Sequence, residues 1–217
     1  MEQNIEISIA SKDHLGYLSE IEQAIYQASL QKGTGIAVRS REYLLEKIQE
    51  GKAVIALGND GIWAGFCYIE SWGHNKFVAN SGLIVSSKFR GAGLASEIKK
   101  RALELSARLF PGAQLFGLTT SLAVMKINSS LGYKPVTFSE LTDDDEFWKG
   151  CETCPYYDIL VRTKRDDCLC TAMVMNPAEK NKVNGKLQTS GIKVKINHTL
   201  SLIHISEPTR QYCQSRM

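Results

Sequence analysis

The chain has 217 residues, 43% of them hydrophobic and 23% charged, a composition that supports one packed domain. The formal charge of +3 sits at the end: beyond residue 176 there are five Lys and two Arg against Glu179 and Glu207, a net of +5, which leaves 19 basic and 21 acidic residues, a net of −2, in 1–176. That excludes a basic stripe for nucleic acid; the apolar runs fall far short of the ~20 residues of a membrane span, and the acidic, alternating start "MEQNIEISIAS" lacks a leader pattern, which places the chain in the cytoplasm.

"IEISIA" (5–10) alternates as a strand does, and Ser11 can cap a helix over 12–31 in which Leu15, Leu18, Ile21 and Ile25 recur at helical spacing. After "GTG" (33–35), Ser40 caps a shorter helix that stops at Gly51. "AVIALG" (53–58), the turn "NDG" and "IWAGFCYIE" (62–70) read as a hairpin, followed by a strand over 76–87. Leu94, Ile98, Ala102, Leu105 and Leu109 share one face of a helix that ends at "PG" (111–112). A strand over 113–120, a helix over 121–132 and a strand over 133–141 follow, then a short acidic helix in "DDDEFWKG". "YYDILVRT" (156–163) and "CLCTAMVM" (168–175) read as two strands around the turn "KRDD". The order βααβββαβαβ plus a terminal β pair predicts an α/β (α+β) fold, a mixed central sheet flanked by helices. One domain is expected over 1–176 and a disordered polar tail over 177–199. Residues 200–217, with "LSLIHISEPTR", resemble read-through of a sequencing adapter and are set aside.

One junction carries chemistry. In "SSKFRGAGLASEIKK" (86–100) the smallest residues stand between a strand and a long helix, with Arg90 in front. The first N–H groups of a helix have no intrahelical partner and the helix dipole favours negative charge there, so small residues leave room for a phosphate and Arg90 can add a charged contact. The nucleotide P-loop pattern is absent, and a dinucleotide fingerprint would need a glycine where Ser96 stands. Arg90, Gly93 and Ala95 instead fit Arg-x-x-Gly-x-Ala, which resembles the pyrophosphate motif of the GCN5-related N-acetyltransferase (GNAT) superfamily. Element order over residues 5 to about 163, the place of the motif after a three-stranded meander and the later "NSSLGYKP" extend the resemblance.

The resemblance implies an acyl-CoA co-substrate, acetyl-CoA or succinyl-CoA. Its pantetheine arm would pair with the backbone of Leu83, Ile84 and Val85, and its pyrophosphate would lie on the amides of Gly91, Ala92, Gly93, Leu94, Ala95 and Ser96. The thioester would sit where the strands 76–87 and 113–120 part, with a backbone N–H near Val85 for the oxyanion. Many members of the superfamily carry a Tyr as acid to the leaving thiolate five residues before the position of Tyr133. Here that position is Asn128, which cannot give up a proton, so Tyr133 is the substitute acid. Glu70, ending the strand "GFCYIE", is the candidate base, with His74 as a weaker one; Asn80, Ser81, Thr119 and Thr120 lie where they can order a water or the substrate.

For the acceptor, Arg39 and Arg41 in "KGTGIAVRSRE" can fork a carboxylate. The stretch "LFGLTTSLAVMKINSSLGYKPV", followed by "FSEL", resembles the acyltransferase domain of bacterial N-acetylglutamate synthases. The chain as a whole resembles short Bacteroidetes acetyltransferase-like proteins of arginine synthesis. This implies a small-molecule amine, glutamate first, and leaves a homodimer open. A polyamine or a protein N-terminus is the alternative acceptor, and a non-catalytic acyl-CoA-binding module the alternative function. Cys151, Cys154, Cys168 and Cys170 offer four thiolates to a zinc ion. Zinc is disfavoured, because a hairpin of eight-residue strands at about 3.3 Å per residue would hold Cys154 roughly 25 Å from Cys168.

Overall fold

In a computed structural model, the structure describes residues 2–176 and 191–197. One eight-stranded sheet runs through it in the order β6-β7-β5-β4-β3-β2-β1-β8. Its strands are β1 (Glu2–Ile9), β2 (Ala53–Gly58), β3 (Trp63–Trp72), β4 (Phe77–Val85), β5 (Gln114–Thr119), β6 (Lys134–Val136), β7 (Thr171–Met175) and β8 (Ile192–Asn197). Its helices are α1 (Leu18–Ser29), α2 (Arg41–Gln49), α3 (Leu94–Leu109), α4 (Leu122–Ser130), α5 (Asp145–Lys149) and α6 (Tyr157–Arg162).

Alternation along the strands sends apolar side chains to both faces. Val54 and Ala56 of β2 join Ile98, Ala102 and Leu105 of α3 in one core, whereas Ala53 and Ile55 join Ile21 and Ile25 of α1 and Leu44 and Ile48 of α2 in another. A third cluster, rich in aromatic rings, gathers Phe116, Phe138, Phe147, Trp148 and Leu160 beyond β5. The cap read at Ser40 is made, Tyr43 N donating to its Oγ (3.2 Å), and Ser121 caps α4 in the same way, accepting from Val124 N (3.4 Å). Residues 12–17 form a 3₁₀ turn ahead of α1, capped by Ser11.

Neighbouring strands are antiparallel except β4 and β5, whose parallel pairing stops early. Phe77, Val78 and Ala79 face Gln114, Leu115 and Phe116, and beyond Ala79 the two strands part. The rest of the molecule is built around that gap.

Three expectations are corrected. Residues 157–162 are helical, not a strand, and do not form a hairpin with 168–175. The reason lies in the sheet: β7 pairs with β5 on one edge and β6 on the other, so neither edge is left for a hairpin partner. Only Leu160 of α6 is buried, and Asp158 pairs with Arg162 one turn on. The strand expected over 133–141 is limited to β6, followed by a 3₁₀ turn at 138–140. Within the stretch expected to be a disordered tail, β8 pairs antiparallel with β1, Ile5 opposite Val194 and Ile7 opposite Ile192. The set-aside segment 200–217 lies outside the described residues. Among the described residues no helix is long and apolar enough to cross a membrane.

Ile98 is fully buried between α3 and the sheet. Ile98→Ala is expected to lower unfolding free energy by about 2–5 kcal/mol, as measured by denaturant titration.

Candidate active site

The gap between β4 and β5 opens into a cavity of about 230 Å³. Its walls are the ends of β4 and β5, the loop 34–39 ahead of α2, and the segment 147–170. Several bonds hold the loop in place. Gly35 N donates to Thr120 Oγ1 (3.0 Å) at the end of β5; Arg39 Nη1 donates to Gly150 O (2.9 Å), and Thr153 Oγ1 to Val38 O (2.8 Å). Two sides of the cavity are thereby tied together, each bond joining a side chain of one segment to the backbone of another.

Glu70 and Arg39 share one wall. Glu70 is only 9% exposed; burial raises its pKa above the ordinary carboxylate value, with the Arg39 charge and a Ser81 hydrogen bond working against that rise. Arg39 Nε donates to Tyr68 Oη (3.0 Å). Burial disfavours the Arg39 charge, but Tyr68 and Glu70 outweigh it and the pKa ends raised. A carboxylate held above its usual range can take a proton from an ammonium more readily than an ordinary one. Ser81 lines the same wall.

The floor of the gap is a closed polar network that sequence reasoning did not find. Asn80 is the first residue past the last β4–β5 pair. Its carbonyl accepts from Lys99 Nζ (3.1 Å), its Oδ1 from Tyr133 Oη (2.8 Å), and its Nδ2 donates to Ser106 Oγ (2.8 Å). Lys99 is 2% exposed, its ammonium form disfavoured by burial, with its Nζ 5.8 Å from the centre of the Tyr133 ring. The one signal for it is position, one residue after Ile98 on the face that meets β4.

Tyr133 is therefore not the acid that the sequence suggested. It is 2% exposed, sits in the core and is absent from the cavity lining. Its hydroxyl is committed to Asn80, and burial drives its pKa upward, away from proton donation. Asn128 does line the cavity; its Nδ2 contacts Met173 Sδ at 3.6 Å. Arg41 is not brought to the site: it is exposed and bonded to Glu22 (3.2 Å) and Ser19 (3.1 Å). Thr119 and Thr120 line the cavity but accept from Ser121 N and Gly35 N respectively. His74, in the turn after β3, has a positive φ of 55° and is absent from the lining.

The small-residue turn is formed as expected. Gly91 and Gly93 both have φ +81°, and a side chain on either would meet open space, so the approach to the start of α3 is clear. Gly93 caps α3, its carbonyl accepting from Ser96 N (3.0 Å). Ala92, Ala95 and Ser96 are half-buried, while Leu94 anchors the turn in the core. Arg90 is exposed and turns back to donate from Nε to Val85 O (3.0 Å), bracing the end of β4, where Leu83 lines the cavity and Ile84 packs below.

Structural comparison decides the fold. The chain aligns with N-acetylglutamate synthase from Neisseria gonorrhoeae, solved with coenzyme A and N-acetyl-glutamate, at a TM-score of 0.56 and 16% identity, covering 79% of this chain and 35% of that one. The chain has the GNAT fold. It also aligns with Mycobacterium tuberculosis Rv2747, solved with CoA and NLQ (TM-score 0.57, 15% identity, 78% of this chain and 98% of that one). A GNAT-superfamily phosphinothricin acetyltransferase from Sinorhizobium meliloti, solved with AcCoA, matches at a TM-score of 0.54 and 14% identity over 79% and 88% of the two chains. The chain spans about a third of the length of the Neisseria synthase. No protein-family model and no curated protein matches it.

All four late cysteines line the cavity, from the turn before α6 and the segment leading into β7. The hairpin that would have kept them apart does not exist. They are free thiols, and among the described residues no group of three or more His, Cys, Asp or Glu is arranged to hold a metal ion. Burial raises the Cys151 pKa to about 12 and also raises those of Cys154 and Cys170, so these thiols keep their protons.

Tyr133→Phe would strip Asn80 Oδ1 of its donor and is expected to cost about 1–3 kcal/mol of stability. Arg41→Ala at the exposed pair should stay within about 0.5 kcal/mol of wild type. Thermal unfolding of the two variants side by side checks both.

Proposed function

We propose that the protein is an acyl-CoA-dependent N-acyltransferase acting on the α-amine of an amino acid. The observation that carries this reading is the β4–β5 gap itself, an opening with Glu70 and Arg39 on its wall in a fold whose solved relatives hold CoA or AcCoA. In the reading, the pantetheine arm enters along Leu83 to Val85. The pyrophosphate lies on the N–H groups at Gly91 to Ser96, which the left-handed Gly91 and Gly93 leave clear.

The acceptor's carboxylate pairs with Arg39, and its ammonium gives a proton to the Glu70 carboxylate, directly or through one water. The free amine attacks the thioester carbonyl carbon. The new C–N bond forms, the nitrogen gives its second proton to water, the C–S bond breaks, and CoA leaves as a thiolate that takes its proton from solvent; with Tyr133 held by Asn80, no side-chain acid is assigned to that step. Glutamate is the first acceptor to test, on the sequence resemblance, and the acyl group is acetyl or succinyl. A half-buried arginine on the wall supports a carboxylate-bearing acceptor over a polyamine.

The test is thiol release from acetyl-CoA and succinyl-CoA with L-glutamate, other amino acids and polyamines. Release that depends on an amino acid is expected; CoA binding without release against any amine would instead establish a binding module. Glu70→Gln should lower kcat by roughly 10²–10⁴-fold. Because Glu70 acts as its carboxylate and its pKa is raised by burial, wild-type kcat/KM should fall as pH drops, with the acid limb above the ordinary carboxylate range. That limb should vanish in Glu70→Gln. Gly93→Trp, which puts a bulky side chain at a left-handed position in the turn, should abolish CoA binding in calorimetry.

A further inference from the structure

Asn128, which lines the cavity, carries an unpaired acceptor. The residue is 1% exposed, and its Oδ1 is buried with no hydrogen-bond partner among the described residues. The carboxamide is turned that way for a reason. Nδ2 points at Met173 Sδ (3.6 Å), a thioether that can accept but has no hydrogen to give, so the oxygen is left facing elsewhere. Gly117 makes the approach possible, since a Cβ there would lie 2.9 Å from Asn128 Nδ2. Both residues line the gap, beside Asn80 and Lys99.

A buried carbonyl oxygen without a donor is unfavourable in the protein alone. It becomes favourable when something brings a donor to it. A departing thiolate cannot do so, because it is itself an acceptor. We propose that Asn128 Oδ1 is a ligand-binding acceptor for an N–H group, supplied either by a pantetheine amide of the acyl-CoA or by the amine of the acceptor. This rests on the acyl-CoA reading above. It changes the role of the position from proton donor to hydrogen-bond acceptor: Asn128 holds a reactant in the gap and leaves the thiolate alone.

The test is Asn128→Leu, close in size and without the unpaired oxygen, studied in the full chain. Its signature is opposed signs. The variant should unfold at a higher temperature than wild type in the absence of ligand, and bind at least tenfold more weakly to one reactant. A rise in Kd for CoA, measured by calorimetry, assigns the oxygen to the pantetheine amide. An unchanged Kd for CoA with a raised KM for the acceptor assigns it to the amine. Unchanged affinity for both, or a loss of ligand-free stability, overturns the proposal. Asn128→Ala gives the same affinity readings should leucine not pack. Wild-type chain that binds no CoA would overturn the acyl-CoA reading itself, a separate outcome from wild type that binds and a variant that binds equally.

Discussion

The structure depends on a pair of parallel strands that stop pairing. Past Ala79 and Phe116, β4 and β5 separate, and strand edges that part inside a protein leave backbone groups that must find other partners. Lys99 from α3 meets this need at the Asn80 carbonyl, while Tyr133 and Ser106 fix the Asn80 side chain on either side. Burying a lysine without a carboxylate is costly, and that burial lowers the pKa of Lys99. An opening kept by a packed network in this way is a permanent feature of the fold, not one that a ligand must create.

The two walls of the opening differ in kind. On the β4 side the small turn before α3 presents unshielded backbone N–H groups, suited to a polyanion. On the other, Arg39 of the loop 34–39 and Glu70 of β3 stand beside an aromatic surround. Trp72 and Phe116 both pack edge-on to Phe147, with centroids 5.0 and 5.7 Å away, and Phe147 meets Trp148 at 4.8 Å. A low-dielectric surround strengthens every charge–charge interaction within it, and in the proposed reading this lets the half-buried Arg39 and the buried Glu70 orient an amino acid and take its proton. The four free thiols belong to this side and contribute small side chains to its surface.

Much of this was legible in the sequence. The β2–β3 hairpin followed from "NDG", α3 from the spacing of Leu94, Ile98, Ala102 and Leu105, and the anion turn from Arg90, Gly93 and Ala95. Glu70 was singled out because it ends a strand, and Arg39 because an arginine in the loop before α2 can fork a carboxylate. What escaped were features decided by distant partners. "YYDILVRT" has the composition of a strand, yet β7 has both edges occupied, so it coils into α6. "IKVKIN" was read for its lysines as a polar tail, although its alternation of apolar residues with Lys is how an edge strand avoids further pairing. Lys99 was passed over and Tyr133 misplaced for one reason: their partner, Asn80, lies 19 and 53 residues away in the chain, and no local pattern announces such a contact.

The central claim is that the β4–β5 gap and the turn at the start of α3 form one acyl-CoA site. Amide hydrogen exchange with and without CoA tests it most directly. The account predicts protection concentrated in peptides covering 80–85, 91–96 and 117–120, with little change in α1, α2 and β1. Binding of CoA that leaves those three segments unprotected, or protects a different face of the sheet, would contradict it.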